Sequence, residues 1–173
     1  MPKHILSYQA PKNIAHDFEK KVFWYFRFIG HQELKDVWDV TAEHANLRIE
    51  SLAKHPHATV TCRFVVKESM CGPQMHLHGG YIATLVENLT SILIVAAATP
   101  GRFADTGVSR NLRTIYLRSL PVGTEVRAVC QVISLGQRLV LTKAEFYDVE
   151  TGELCVISEH EKFNRDPEQR GKL

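Results

Sequence analysis

The chain has 173 residues, 45% apolar and 23% charged, the profile of one soluble folded domain with some additional length. A net charge of +2 with dispersed basic residues argues against a nucleic-acid binder, and the longest unbroken apolar run, residues 92–98, is far short of the ~20 residues that cross a membrane. Cys62, Cys71, Cys130 and Cys155 are widely spaced without a CxxC pair, so no metal site and no disulfide framework is expected, and reduced thiols inside a cell are the simplest reading.

Residues 1–57 are rich in aromatic and charged side chains and read as an N-terminal helical extension. The first sixteen residues lack acidic residues, but they also lack arginine and a clear apolar segment. That argues against a secretory signal and leaves cytoplasm and mitochondrion both open. Phe18, Val22, Tyr25, Phe26 and Ile29 recur at helical spacing, with Gly30 as a stop. Such a helix either packs on the core or on a partner subunit, or serves as a lid or membrane-surface helix. A second helical stretch is expected over about 42–54, before Pro56.

From Thr59 the texture is mostly β. Residues 59–67 alternate, with Val60, Cys62, Phe64 and Val66 on one face. After Gly72 and Pro73 a helical pattern runs from about Gly80 to Ala97. Four alternating segments follow, at 108–118, 124–134, 138–149 and 153–163, separated by turn residues. One strand, one long helix and a four-strand meander give an α+β layout, an antiparallel sheet packed on one central helix, within a domain at 58–165. Residues 166–173 form a polar tail, and the chain after Asn164 is expected to be frayed.

The central helix carries a broad apolar stripe (Ile82, Leu85, Val86, Leu89, Ile92, Leu93, Ala96) and a narrow polar one (Thr84, Glu87, Asn88, Ser91). The polar stripe is either solvated or, if the sheet wraps the helix, partly buried and in need of partners. His78-Gly79-Gly80 stands where the helix begins. Two glycines let a ligand approach the backbone, and the first amides of a helix are unpaired and carry the positive end of its dipole. This suits an oxyanion site with Gly79 as donor, although a tight turn explains a Gly-Gly pair equally well, and His78 as a structural histidine remains open. Eight residues separate Gly79 from Glu87, about 12 Å along a helix. A single carbonyl cannot touch both, so a shared site implies two subunits meeting across a twofold axis.

The string from His78 through Gly79, Gly80, Ala83, Thr84 and Leu85 to Glu87 and Asn88 resembles the hot-dog thioesterases of the phenylacetate-pathway and acyl-CoA thioesterase 13 type, as do the spacings of Gly107-Val108-Ser109, Tyr116 and Gly123. The resemblance covers residues 59–163 and implies a hot-dog fold, hydrolysis of an acyl-CoA, and a homodimer or homotetramer, with no cofactor. It implies Glu87 as general base, or less often nucleophile, and the Gly79 amide as polariser of the thioester carbonyl. It also implies His78 near that carbonyl, Ser109 as positioner of the hydrolytic water, and Gly80, Asn88 and Arg138 on the substrate, Arg138 near the coenzyme A phosphates. Arg110, Arg113 and Arg118 are further candidates there. One departure stands out: the asparagine that the family places about six residues before the histidine is missing from Met70-Cys71-Gly72-Pro73-Gln74. This keeps a non-catalytic acyl-CoA or acyl-carrier binding module open as the alternative. A hot-dog dehydratase or hydratase ranks behind both, because its local motifs are absent.

Overall fold

Apolar side chains spaced three and four apart build the long helix α2 (Gly79–Ala97), and a six-stranded antiparallel sheet wraps around it. The computed structural model describes residues 17–29, 44–104 and 106–166. Ahead of α2 come α1 (Phe18–Ile29), β1 (Arg48–Ala53), β2 (Thr59–Val65) and a single 3₁₀ turn (Glu68–Met70). After it come β3 (Val108–Tyr116), β4 (Glu125–Leu135), β5 (Leu139–Asp148) and β6 (Leu154–Phe163). The expected antiparallel sheet around one central helix is present. The expected polar tail beyond Asp166 and the N-terminal residues before Asp17 lie outside the described residues.

Two expectations need correction. The sheet order is β1-β2-β4-β5-β6-β3, so the last four strands are not a simple meander. β4, β5 and β6 follow one another, but β3 crosses over to pair with β6, and β2 takes the place beside β4. The chain leaving β3 does not turn back into a hairpin, because the amides of Leu117 and Arg118 bond to the Cys155 carbonyl of β6. Second, residues 48–53 are not helical but form the edge strand β1 on β2. A bulge between Ile49 and Ser51 inserts one residue, so the half-buried Ile49 and Leu52 stand three apart on one face, a spacing that imitates a helix.

α2 is long and apolar enough, by length and composition alone, to cross a membrane, because its scattered small polar residues break up the apolar run without lowering the average far. It lies inside the fold. Leu85, Val86, Leu89 and Leu93 are fully buried against Val60, Cys62, Val126, Ala128, Ala144 and Phe146 of the sheet. α1 packs across α2 through Phe18, Val22 and Tyr25. Between these apolar residues Lys21 is buried, and its ammonium donates to the carbonyls of Val95 (3.3 Å) and Ala98 (3.2 Å) at the C-terminal end of α2. A cation there meets the last carbonyls of the helix and the negative end of its dipole.

Past α2 the chain is tied down by Asn164, which accepts from the Phe103 amide (3.1 Å), and by Asp166, which accepts from the Ala104 amide (2.7 Å). The first residues after Asn164 are thus held, not frayed. Gly107 opens β3 with a φ of +67°, and a Cβ there would stand 2.6 Å from the Phe163 carbonyl oxygen. Both the backbone conformation and the space therefore require glycine. Gly107→Ala is expected to cost about 1–3 kcal/mol of unfolding free energy, measured by urea denaturation, since the strained φ and the clash fall on one residue.

Candidate active site

The start of α2 is organised by His78. Its backbone is extended, its amide donates to the Met70 carbonyl, and its ring Nδ1 accepts from the Gly80 amide at 3.0 Å. His78 is thus the N-cap of the helix, which realises the structural reading of this residue. With Nδ1 an acceptor, the proton of a neutral His78 ring sits on Nε2. The Gly80 amide is engaged by this cap. The Gly79 amide, at the first helical position, has no partner among the described residues. Tyr116 of β3 lies over Gly79: its hydroxyl donates to the Gly79 carbonyl (2.8 Å), and a Cβ on Gly79 would meet the Tyr116 ring at 3.0 Å. Close approach to this backbone therefore depends on glycine. His44 joins the same region, with its ring between Ser69 (2.7 Å) and the Tyr81 hydroxyl (3.2 Å), and so ties the chain before β1 to the first turn of α2.

Two turns further on, Glu87 leaves the helix on the polar stripe. Its Oε1 accepts from the Ser109 hydroxyl at 2.7 Å. Ser109 sits at the start of β3, beside a bulge between Ser109 and Asn111, and this locally re-aimed strand brings its side chain to the helix. The stripe is not simply solvated, because β6 faces it with Ser158, His160 and Lys162 on successive inward positions. His160 Nε2 lies 2.9 Å from Ser109 Oγ, and its Nδ1 lies 2.6 Å from Thr90 Oγ1. Lys162 Nζ donates to Ser91 at 2.8 Å. One connected polar cluster thus runs from Thr90 through His160 and Ser109 to Glu87.

Burial sets the charge states in this cluster. His160, with no exposed surface, is pushed down to about 4, chiefly by desolvation and then by the Lys162 ammonium, against the opposing pull of Glu87. Lys162 is pushed down to about 8 by desolvation, with Glu87 again opposing. Near neutral pH His160 is therefore neutral and Lys162 charged.

Of the residues expected from the sequence, Glu87 and Ser109 come together, while His78, Gly79 and Gly80 form a separate group at the helix start. Asn88 is half-buried next to Glu87 on α2, and Arg138 stands exposed in the β4–β5 turn. Arg110 pairs with Glu161 (3.3 Å) and Arg118 with Glu153 (3.0 Å). Beside Ser109 lies an open groove of about 650 Å³ lined by Val108, Ser109, Arg110, Phe163 and Arg165. His160, Thr90 and Lys162 were not among the expected site residues. The available signal was three polar residues on the inward register of an otherwise apolar strand. Cys71, whose thiol donates to the Lys67 carbonyl (3.3 Å), is raised above the ordinary thiol range, chiefly by burial and then by the Glu68 carboxylate, the opposite of what an activated thiol needs. No group of metal-binding side chains occurs among the described residues.

Comparison with known proteins agrees with this architecture. Residues 74–155 match the family model described as the thioesterase superfamily. Over 103 residues, 60% of this chain and 71% of the relative, the sequence is 26% identical to human acyl-coenzyme A thioesterase 13. Among solved structures, zebra fish thioesterase superfamily member 2 superposes with a TM-score of 0.69 at 24% identity, covering 81% of this chain and 93% of that one. The PaaI protein of the E. coli phenylacetic acid degradation operon superposes with a TM-score of 0.64 at 15% identity, covering 86% and 96%. The fold is the hot-dog fold, and residues 74–155 carry the sequence pattern of the thioesterase superfamily.

The depressed His160 has a measurable consequence. Because its folded value (about 4) lies below the ordinary 6.5, the unfolded chain binds a proton first as pH falls, and stability drops across the window from 6.5 to 4. Urea titrations should show this residue removing about 2 kcal/mol between about pH 7 and about pH 5, a loss that His160→Gln abolishes.

Proposed function

We propose that the protein hydrolyses the thioester bond of an acyl-CoA, giving the free acid and coenzyme A. The observation that carries this reading is the carboxylate of Glu87, projecting from the central helix with one oxygen held at 2.7 Å by Ser109. Its other oxygen has no partner among the described residues and is available to a water molecule. In this reading Glu87 takes a proton from water as the water oxygen attacks the thioester carbon. Negative charge then develops on the carbonyl oxygen, where the unpaired Gly79 amide at the positive end of α2 stabilises it. Collapse breaks the C–S bond, and the proton held by Glu87 passes to the departing thiolate.

Because α2 runs unbroken from Gly79 past Glu87, the two groups stand roughly 12 Å apart on one chain. One carbonyl meets both only when Gly79 comes from one subunit and Glu87 from another, so this reading requires a homodimer. β3 offers the surface: it is an edge strand with Val108, Ile115 and Tyr116 exposed. The groove beside Ser109 suits part of the substrate, and Arg138 is assigned to the coenzyme A phosphates. The four free thiols fit a reducing compartment within the cell.

Thiol release measured over a panel of acyl-CoAs tests the reaction. Glu87→Gln should lower kcat by about 10²–10⁴-fold while size-exclusion behaviour stays that of the parent, and full activity in this variant would sink the mechanism.

A second reading, acyl-CoA binding without turnover, is favoured by one feature. Gly72 occupies the place of the expected asparagine, and a Cβ there would lie 3.5 Å from His78 Cδ2, an ordinary contact, so the position has room but no polar side chain. If hydrolysis is limited by that missing donor, Gly72→Asn should raise kcat on the order of tenfold in the same assay. Measurable acyl-CoA binding with no turnover in either protein would favour the binding module.

A further inference from the structure

The polar cluster around Glu87 contains more contacts than protons, and that shortage fixes its direction. Ser109 Oγ has one proton and two neighbours, Glu87 Oε1 at 2.7 Å and His160 Nε2 at 2.9 Å. Thr90 Oγ1 has one proton and reaches His160 Nδ1 at 2.6 Å and the Val86 carbonyl at 2.7 Å. A neutral imidazole carries a proton on one nitrogen only. If His160 carried it on Nδ1, it would donate to Thr90, and Ser109 would have to donate to His160 Nε2. Ser109 Oγ and the charged Glu87 oxygen would then face each other at 2.7 Å with no proton between them. If it carries it on Nε2, Thr90 donates to Nδ1, Nε2–H donates to Ser109, and Ser109 donates to the Glu87 carboxylate. The contact left without a proton is then that of Thr90 Oγ1 with the Val86 carbonyl, a neutral oxygen and a weaker acceptor than a carboxylate. The Val86 carbonyl keeps its place in the helical ladder of α2.

We propose that His160 is a positioning residue, held as its Nε2–H tautomer by Thr90, that commits the Ser109 proton to Glu87 and so orients the carboxylate for attack by water. It is fully buried and acts through Ser109. This inference rests on the hydrolytic reading above for its consequence in catalysis, but not for the hydrogen-bond order itself.

The surroundings preserve this order. The inward-facing titratable groups here are His160 and Lys162 of β6 and Glu87 of α2. β3 presents Ser109 and Thr114, and β5 presents Thr142, whose hydroxyl donates to the His160 carbonyl at 3.0 Å. Lys162, 5% exposed and bound to the neutral hydroxyl of Ser91, sets a positive charge two residues along the strand from His160 and opposes a second proton on the ring. An imidazolium would donate from both nitrogens and leave Thr90 free to bond the Val86 carbonyl instead, so the tautomer lock depends on a neutral ring.

The first test needs no variant and no substrate. In the full-length protein with ¹⁵N-labelled histidine, long-range ¹H–¹⁵N correlation at neutral pH should show His160 protonated on Nε2 and bare on Nδ1. A proton on Nδ1, or on both nitrogens, overturns the proposal. The second test uses kinetics. His160→Gln places an amide N–H near the Nε2 position, whereas the shorter His160→Asn does not reach it. The Gln variant should keep kcat within a few-fold of the parent, and the Asn variant should lose roughly ten- to a hundredfold in kcat with KM unchanged. Equal losses in both variants, or losses confined to KM, mark a structural role and overturn it. Should the parent protein release no thiol from any acyl-CoA, the hydrolytic reading fails, while the tautomer measurement still decides the proton order.

Discussion

A helix enclosed by a sheet must find partners for every polar atom it carries inward, and this obligation shapes the whole molecule. α2 buries most of its circumference in aliphatic contacts with the sheet and with α1. On the remaining stripe, Thr90 is fully buried against β6, Ser91 is half-buried beside it, and the exposed Glu87 reaches Ser109 of β3. Each is answered by a side chain at the right register: Ser109 for Glu87, His160 for Thr90, Lys162 for Ser91. An unanswered hydroxyl at the position of the fully buried Thr90 would cost about 1–3 kcal/mol. The crossover that carries β3 to the far edge of the sheet is therefore also what delivers Ser109 to the helix.

The same geometry separates two groups of polar atoms along one helix. At the first turn, His78 uses its ring to satisfy Gly80 and leaves the Gly79 amide free, with Tyr116 packed close above the bare backbone. Two turns on, the carboxylate cluster is fixed by strands from the opposite end of the sequence. Neither group adjusts independently of the other, because both are built on the helix and the helix is clamped. Precision of this kind favours chemistry on a small, fixed centre over adaptable binding of a broad surface.

Much of this was legible in the sequence, and the failures have physical causes. The 3.6-residue period of α2 and the alternation of β4 and β5 reflect burial on a single face, so pattern and structure coincide. β1 was misread because its bulge shifts the inward positions from two apart to three. The position of β3 was misread because pairing with β6 is non-local, and no turn residue encodes it. In the site, Glu87, Gly79 and Ser109 stood out from resemblance and from the logic of helix ends. His160 did not, because a histidine in an alternating strand looks like any other polar residue until its register is known. Asn88 and Arg138 were assigned by resemblance.

The bond from Lys21 to the last carbonyls of α2 bears on the opposite end of that helix. A helix dipole is a pair of partial charges, and the ammonium of Lys21 neutralises the negative one. No acidic side chain stands in the first turn to neutralise the positive one, and the cap there is the ring of His78, not a carboxylate. The central helix is therefore electrically asymmetric, closed at one pole by α1 and open at the other. The N-terminal helix, remote from Gly79 along the helix axis, thus helps make that amide the pole toward which an anion is drawn.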